Sequence, residues 1–402
     1  MMGLHAFLGQ VRCLGGVLLA ATLLTGCAVG VARNAVPLAL VDKADVAGLD
    51  GIRGWGDVAP RDAAAIPHAR LPGMGRFAVA PTRESGRPIV NMLALSGGGA
   101  DGAFGAGLLV GWSDAGTRPR FEVVTGVSAG ALIAPFAFLG REHDRQLREM
   151  FTLYATEDLL RKQVVTGLFG GTALADSAPL AELIAKYVDQ RMFRAIAREY
   201  RQGRMLLIGT TNLDAQRPVI WNMGEIAARG TPEALALFHK VVLASASIPG
   251  VFPPVHIEVV AGGHRFEEMH VDGGPTRQVF LVPTQLPLTD FDRFYEAPPL
   301  RRIYVIRNAK LGPAYEPAKA TTIAIGGRTL STLILNQSQG DLARIYQTAS
   351  RANAEFNLAG IPPDFNEPSK EAFDRDYMQA LFQRARALAR SGYPWQKGAP
   401  KF

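Results

Sequence analysis

Residues 88–112 read PIVNMLALSGGGADGAFGAGLLVGW, and residues 121–139 read FEVVTGVSAGALIAPFAFL. Each begins with a short apolar run of strand length, passes through a glycine-bearing loop and continues as a helix-like apolar segment. Strand, loop and helix twice within about fifty residues predict parallel strands joined by helical crossovers. The expected fold is therefore α/β, a three-layer α/β/α sandwich with a mostly parallel central sheet. Loops at the carboxyl ends of its strands are then the place for a site. Gly105, Gly107 and Gly111 each cost about 0.5–1 kcal/mol against alanine inside a helix, which predicts a helix packed very close to the sheet. Pro135 predicts a kink in the second helix.

Outward from this pair the texture continues. RMLLIGTTNLD predicts a third strand and RPVIWNM a fourth, as an edge pair. PEALALFHKVVLASAS predicts a helix stopped by Pro249. VHIEVVAGGHRFEEMHVDGG predicts a hairpin turning at Gly262-Gly263, and RRIYVIRNA a late strand. Helical periodicity covers 329–357 and 369–391, with Pro362-Pro363 between them; these helices either cover a cleft or complete the core. GLDGIRGWGDVAP reads as loop, with Trp55 pinned to the body. The expected organisation is residues 1–26 as a signal peptide, 27–87 as tether and lead-in, 88–310 as the catalytic domain, and 311–402 as a C-terminal helical extension packed on it.

The chain has 402 residues, 48% hydrophobic and 20% charged. That is a globular composition, long enough to bury a full α/β core. The net charge of +7 favours anionic membrane surfaces. No basic run carries interleaved aromatics, so nucleic acid is not an expected partner. Cys13–Leu24 is too short to span a bilayer but suits a signal h-region. It ends in Leu24-Thr25-Gly26-Cys27, which resembles the lipobox of bacterial lipoprotein precursors and implies lipidation of Cys27. Ala28 and Val29 follow where an inner-membrane retention signal would carry Asp. The expectation is a lipid-anchored protein of the bacterial envelope, at the outer membrane. An ordinary secretory signal is the alternative. Cys13 and Cys27 are the only cysteines, so no internal disulfide supports the fold.

Three glycine loops carry the chemistry. Ser96-Gly97-Gly98-Gly99-Ala100-Asp101-Gly102 lies between a strand and a helix, where backbone N–H groups suit an anion. Its Gly97-x-Gly99-x-x-Gly102 spacing also fits a dinucleotide fingerprint, while a Walker A loop is excluded because no Gly-Lys-Ser/Thr follows. Gly126-Val127-Ser128-Ala129-Gly130 is a G-x-S-x-G at a strand-to-helix turn. Roughly one chain in seven of this composition holds that pattern by chance, so its context decides. His270-Val271-Asp272-Gly273-Gly274 offers a carboxylate on a tight turn. A serine needs a base to become a nucleophile. A Ser–Asp–His triad through Asp214 and His270 is possible on paper, but only one clear strand precedes the serine, and direct Ser–Asp pairing is simpler. A free aspartate is a poor base at neutral pH, so the site must exclude water to raise its proton affinity. His264, Glu268 and His270 share strand parity with Asp272. They form no recognisable metal pattern, and neither metal nor cofactor is expected. Asn212 and Asp214 either line the cleft or form a turn. Trp221, Phe104 and Trp112 read as core.

SGGGADG, GVSAG and VDGG, in this order, resemble the patatin-like phospholipases. ASASIPGVFPPV at 244–255 resembles a further segment of that family, and the resemblance covers about residues 90–310. It implies a Ser128 nucleophile with Asp272 as base, an oxyanion hole from Gly97, Gly98 and Gly99, and supporting glycines at 102, 126, 130, 273 and 274. The implied activity is that of a serine lipid acyl hydrolase of phospholipase A, lysophospholipase or esterase type, acting through an acyl-enzyme on membrane lipid or other acyl esters. Asp101 stands where the family commonly has Arg or Lys, which tilts the expectation towards neutral or single-chain esters. A non-catalytic lipid- or partner-binding lipoprotein, a Ser–His–Asp esterase and an acyltransferase remain alternatives.

Overall fold

The computed structural model describes residues 33–58, 83–162, 175–282, 287–315 and 317–402. Its main sheet is built from β1 (Arg53–Trp55), β2 (Arg83–Glu84), β3 (Arg87–Leu95), β4 (Val123–Gly126), β5 (Met205–Asn212), β6 (Arg217–Asn222), β7 (Val255–Ala261), β8 (His264–Asp272), β9 (Leu300–Lys310) and β10 (Glu355–Ile361). The strands run in the order β1-β6-β5-β4-β3-β9-β10. The stretch from β5 through β4, β3 and β9 to β10 is parallel throughout. β6 lies antiparallel to β5, and β1 antiparallel to β6.

Apolar runs without alternation make this sheet, because its middle is buried on both faces. In β3, Leu93 and Leu95 point into one core cluster, while Val90, Met92 and Ala94 point into the other. On the first face lie α1 (Gly102–Asp114), α2 (Ala129–Leu139), α3 (Asp144–Thr152), α4 (Ala178–Tyr187), α5 (Gln190–Arg201), α6 (Met223–Arg229), α7 (Pro232–Ala246) and α9 (Arg375–Arg390). On the second lies α8 (Thr322–Arg351), through Leu342, Ile345 and Ala349. This is the expected α/β/α sandwich, and α2 holds Pro135 within it.

Three local readings change, and one alternative is decided. The glycines of α1 do not all serve the sheet: a Cβ on Gly105 would meet Asn308 of β9, but those on Gly107 and Gly111 would fall 2.3 Å from the backbone oxygens of Phe382 and Arg386 in α9. The expected helix over 329–357 ends at Arg351 and gives way to β10, so the C-terminal segment contributes a strand to the sheet as well as helices. Residues 53–55, read as loop, form β1 and cover β6, which is therefore not the edge. Trp55 is pinned as expected, beneath the Arg217 guanidinium at 4.2 Å. Asn212 accepts the Ala215 N–H and Asp214 pairs with Arg33, so this stretch is a turn.

The hairpin of β7 and β8 turns at Gly262-Gly263. At its far end His270, Val271 and Asp272 pair with Asn212, Thr211 and Thr210 of β5. That pairing carries Asp272 to the carboxyl end of the strand beside β4, where Ser128 stands.

Candidate active site

Ser128 sits between β4 and α2 with φ 56° and ψ −125°. Positive φ on a non-glycine residue costs about 1–3 kcal/mol, which the surrounding packing must offset. The turn is closed from both sides: a Cβ on Gly126 would lie 2.4 Å from the Gly130 oxygen, and one on Gly130 2.4 Å from the Leu95 oxygen. Residues that tight can only be glycine, and they hold the serine at the start of α2, where the helix dipole favours developing negative charge.

The first loop leaves β3 and passes directly over this serine. A Cβ on Gly97 would lie 3.7 Å from the Ser128 hydroxyl, and one on Gly98 only 2.2 Å from the Asn308 oxygen. Asn308 ties the loop down: its N–H donates to Ser96 Oγ at 2.8 Å, its Nδ2 to the Ser96 carbonyl at 2.7 Å, and its Oδ1 accepts the Gly105 N–H at 3.0 Å. Gly99 takes φ +55°. Of the three glycines expected as oxyanion donors, Gly97 is already committed, since its N–H donates to the Gln278 carbonyl at 3.1 Å. The N–H groups of Gly98 and Gly99 meet no backbone carbonyl among the described residues. Gly102, against Phe151 and Ala129, opens α1.

Asp272 is 5% exposed. Gly274 N–H donates to its Oδ1 at 2.7 Å, which fixes the turn, and Gly273 packs on Gly209 and Val127. Burial drives the carboxyl up to about 6, against the hydrogen bonds of the Ser128 hydroxyl and the Gly274 N–H. Oδ2 is buried without a partner at full hydrogen-bond geometry. Ser128 thus stands near enough to Asp272 to favour the charge of its carboxylate, and loose contacts of this kind are common in sites without a bound ligand.

His270 belongs to another network. Its Nδ1 meets Thr210 Oγ1 at 3.0 Å and its Nε2 meets Glu268 at 2.9 Å. Trp221 Nε1–H donates to the same Thr210 oxygen at 2.8 Å, so the threonine proton goes to Nδ1, and the imidazole carries its proton on Nε2. Burial holds its pKa below the ordinary value. Arg53 caps Glu268. Both ring nitrogens are thus occupied away from Ser128, and the triad through Asp214 and His270 is not assembled. His264, at the other end of β8, is exposed and does not join the pair.

Residues 93–286 match the model of a family described as patatin-like phospholipase. Those residues are a patatin-like phospholipase domain. Among solved structures the chain is similar to VipD from Legionella pneumophila, at 11% identity and a TM-score of 0.35, over 76% of this chain and 67% of that one. It is also similar to a chain in full-length SpcU bound to full-length ExoU, from the type III secretion system of Pseudomonas aeruginosa. There the identity is 13% and the TM-score 0.27, over 76% of this chain and 52% of that one. The chain thus spans about half the length of that second protein. A search of curated proteins returned no match.

Within the patatin-like domain, two positioning contacts were not legible in the sequence. The Ser128 N–H donates to Ser245 Oγ at 3.0 Å, and that hydroxyl donates to the Gly209 carbonyl at 2.7 Å. The Asp272 N–H donates to the Ser247 carbonyl at 2.9 Å. The end of α7, in the Ala244–Val255 segment, so grips the backbones of both residues. Beside Ser128 opens an apolar cavity lined by Leu132, Phe151, Leu183, Ile248, Phe252 and Met378. Phe104 and Trp221 are fully buried core instead. Asp101 accepts from the Tyr377 hydroxyl of α9. Burial raises it to about 6, opposed by that bond and by the charges of Lys310 and Arg307.

Proposed function

We propose that the protein is a serine hydrolase of lipid acyl esters, with Ser128 as nucleophile and Asp272 as its base. The observation that carries this reading is the strained Ser128, at the wall of an apolar cavity, beside a buried carboxyl whose Oδ2 has no hydrogen-bond partner. Asp272 accepts the Ser128 proton as Oγ bonds to the ester carbonyl carbon. Gly98 and Gly99 N–H groups hold the resulting oxyanion; each such donor contributes about 2.7–4 kcal/mol to the transition state. The tetrahedral species collapses, the carbon–oxygen bond to the leaving alcohol breaks, and the proton returns from Asp272 to that alkoxide. Water then attacks the acyl-enzyme, giving its proton to Asp272, and Ser128 is released with a free fatty acid.

The cavity suits an acyl chain, since every side chain lining it other than that of Ser128 is apolar. Asp101 and its tyrosine partner stand at the loop where a cation would favour an anionic head group, so neutral or single-chain esters are the proposed preference. A fluorophosphonate should label the wild type and not Ser128→Ala. A folded protein that takes no label would make it a lipid-binding member without catalysis. A lipid panel with product analysis, run with and without added alcohol, separates hydrolysis from acyl transfer.

Cys27 lies outside the described residues. We also propose that it carries the lipid anchor that holds the enzyme at the outer membrane. The mass of the mature N-terminus tests this: an unmodified Cys27, or a cut elsewhere, overturns it.

A further inference from the structure

The root and the tip of α8 differ in character. The root is buried and reaches the catalytic loop: Asp341 accepts the N–H of Gln278 at 2.8 Å and of Val279 at 3.4 Å, and Gln337 Nε2 donates to the Pro275 carbonyl at 3.3 Å. Gln278 in turn holds Gly97 and Gly274. The tip turns apolar side chains to solvent. Leu333 is 63% exposed, Leu330 55%, Ile325 54% and Ile334 40%, and Tyr315, just before the helix, is 94% exposed. Leu330, Leu333 and Ile334 are spaced to share one helix face. From 315 to 340 the charged residues are Glu316, Lys319 and Arg328, and the helix from 322 to 340 carries Arg328 alone.

We propose that this tip is a docking surface for an anionic bilayer. Apolar side chains on a helix tip whose one charge is a cation, preceded by an exposed tyrosine and Lys319, suit insertion between lipid head groups. A second copy of the chain is a poorer occupant: five apolar side chains fall well short of the roughly 20–30 residues per side of a stable protein interface. No helix of the described residues is long and apolar enough to cross a membrane, so α8 would lie in the interface rather than span it. Docking there places the surface one to two turns from the residues that hold the Gly273–Gln278 loop. The proposal rests on the lipid-ester reading for its purpose, and the two are tested apart.

The chain has cysteines only at 13 and 27, so Cys13→Ser/Cys27→Ser gives a full chain without acyl anchor, into which one fluorophore site is introduced by Leu333→Cys or Leu153→Cys. Leu153 is 53% exposed and lies elsewhere. With vesicles of equal phosphatidylcholine and phosphatidylglycerol, an environment-sensitive nitrobenzoxadiazole label at 333 should brighten and shift to the blue, and the label at 153 should not. Leu330→Ser/Leu333→Ser should lower hydrolysis of vesicle-packed lipid by about tenfold or more and leave a soluble short-chain ester within about twofold. An unresponsive label at 333, equal responses at both positions, or equal losses on both substrates would overturn the docking surface. So would a doubled mass in solution that falls to monomer in the double variant. Failure of the parent to hydrolyse the soluble ester would instead count against the hydrolase reading, leaving the fluorescence to judge the surface.

Discussion

Ser245 receives the backbone N–H of Ser128 on its hydroxyl oxygen and hands its own proton to the Gly209 carbonyl. The strained serine is therefore held by a side chain from α7 as well as by its own turn, in which the Ala131 N–H donates to the Ser128 carbonyl at 2.8 Å. Ser245 touches no reacting atom, so it is a positioning residue. Ser245→Ala leaves a buried N–H and a buried carbonyl without partners, which costs about 1–3 kcal/mol of stability. We expect kcat and the rate of fluorophosphonate labelling to fall together by about 10–100-fold, with KM nearly unchanged. A loss confined to stability, with full kcat at low temperature, would remove Ser245 from the positioning role.

On the proposed mechanism Asp272 must be ionised to take the Ser128 proton, and burial has raised its carboxyl to about 6. The profile of kcat/KM should climb about tenfold per pH unit on the acid side, level off above about 6, and report one ionisation there. Asp272→Asn keeps the shape and loses the base, so turnover should fall by about 10³-fold or more. A histidine base in its place would give a limb that survives Asp272→Asn.

Much of this site is legible in the sequence because each motif carries its own geometric demand. A serine between glycines after an apolar run announces an elbow, and Asp272 before two glycines announces a carboxylate on a turn. Their meeting is less legible, because it depends on the last three residues of β8 pairing with β5. Three other features have no local signal. Ser245 reads as one small residue in a helix end, and its role appears only once α7 ends beneath Ser128. Gly107 and Gly111 report a close neighbour without saying which, and the neighbour is α9, far along the chain. EFNLAGI follows a helix after a turn with neither glycine nor proline, Asn353 supplying the positive φ, so a short apolar run passes for more helix.

Gly98 and Gly99 are adjacent but glycine for different reasons. A Cβ at Gly98 would fall 2.2 Å from the Asn308 oxygen, a backbone atom that cannot swing away. At Gly99 there is open space and only the φ of +55° to oppose a side chain. Gly99→Ala should cost about 1–2 kcal/mol and keep measurable activity. Gly98→Ala should cost more, about 2–4 kcal/mol, and displace the loop enough to abolish turnover. Urea unfolding paired with ester hydrolysis measures both, and equal costs would contradict the contact at Asn308.

The buried carboxyls also make stability depend on pH in a direction opposite to ordinary acid unfolding. Burial raises Asp272 to about 6, Asp101 to about 6 and Glu122 to about 7. Between the usual carboxyl range and those values, these three groups bind more protons in the folded protein than in the unfolded chain, so their contribution to stability falls as pH rises through that window, against the opposite contribution of the buried His270. Glu268, held near 2 by His270 and Arg53 in spite of burial, acts the other way but only in stronger acid. Asp272→Asn removes one of the three groups that acquire buried charge. It should therefore stabilise the protein at pH 8 by at most about 3 kcal/mol and change little at pH 4, while the same substitution removes activity. Thermal unfolding of wild type and variant at both pH values measures the difference. A variant no more stable than wild type at pH 8 would mean that water reaches the carboxylate, and a carboxylate in water is too weak a base for Ser128.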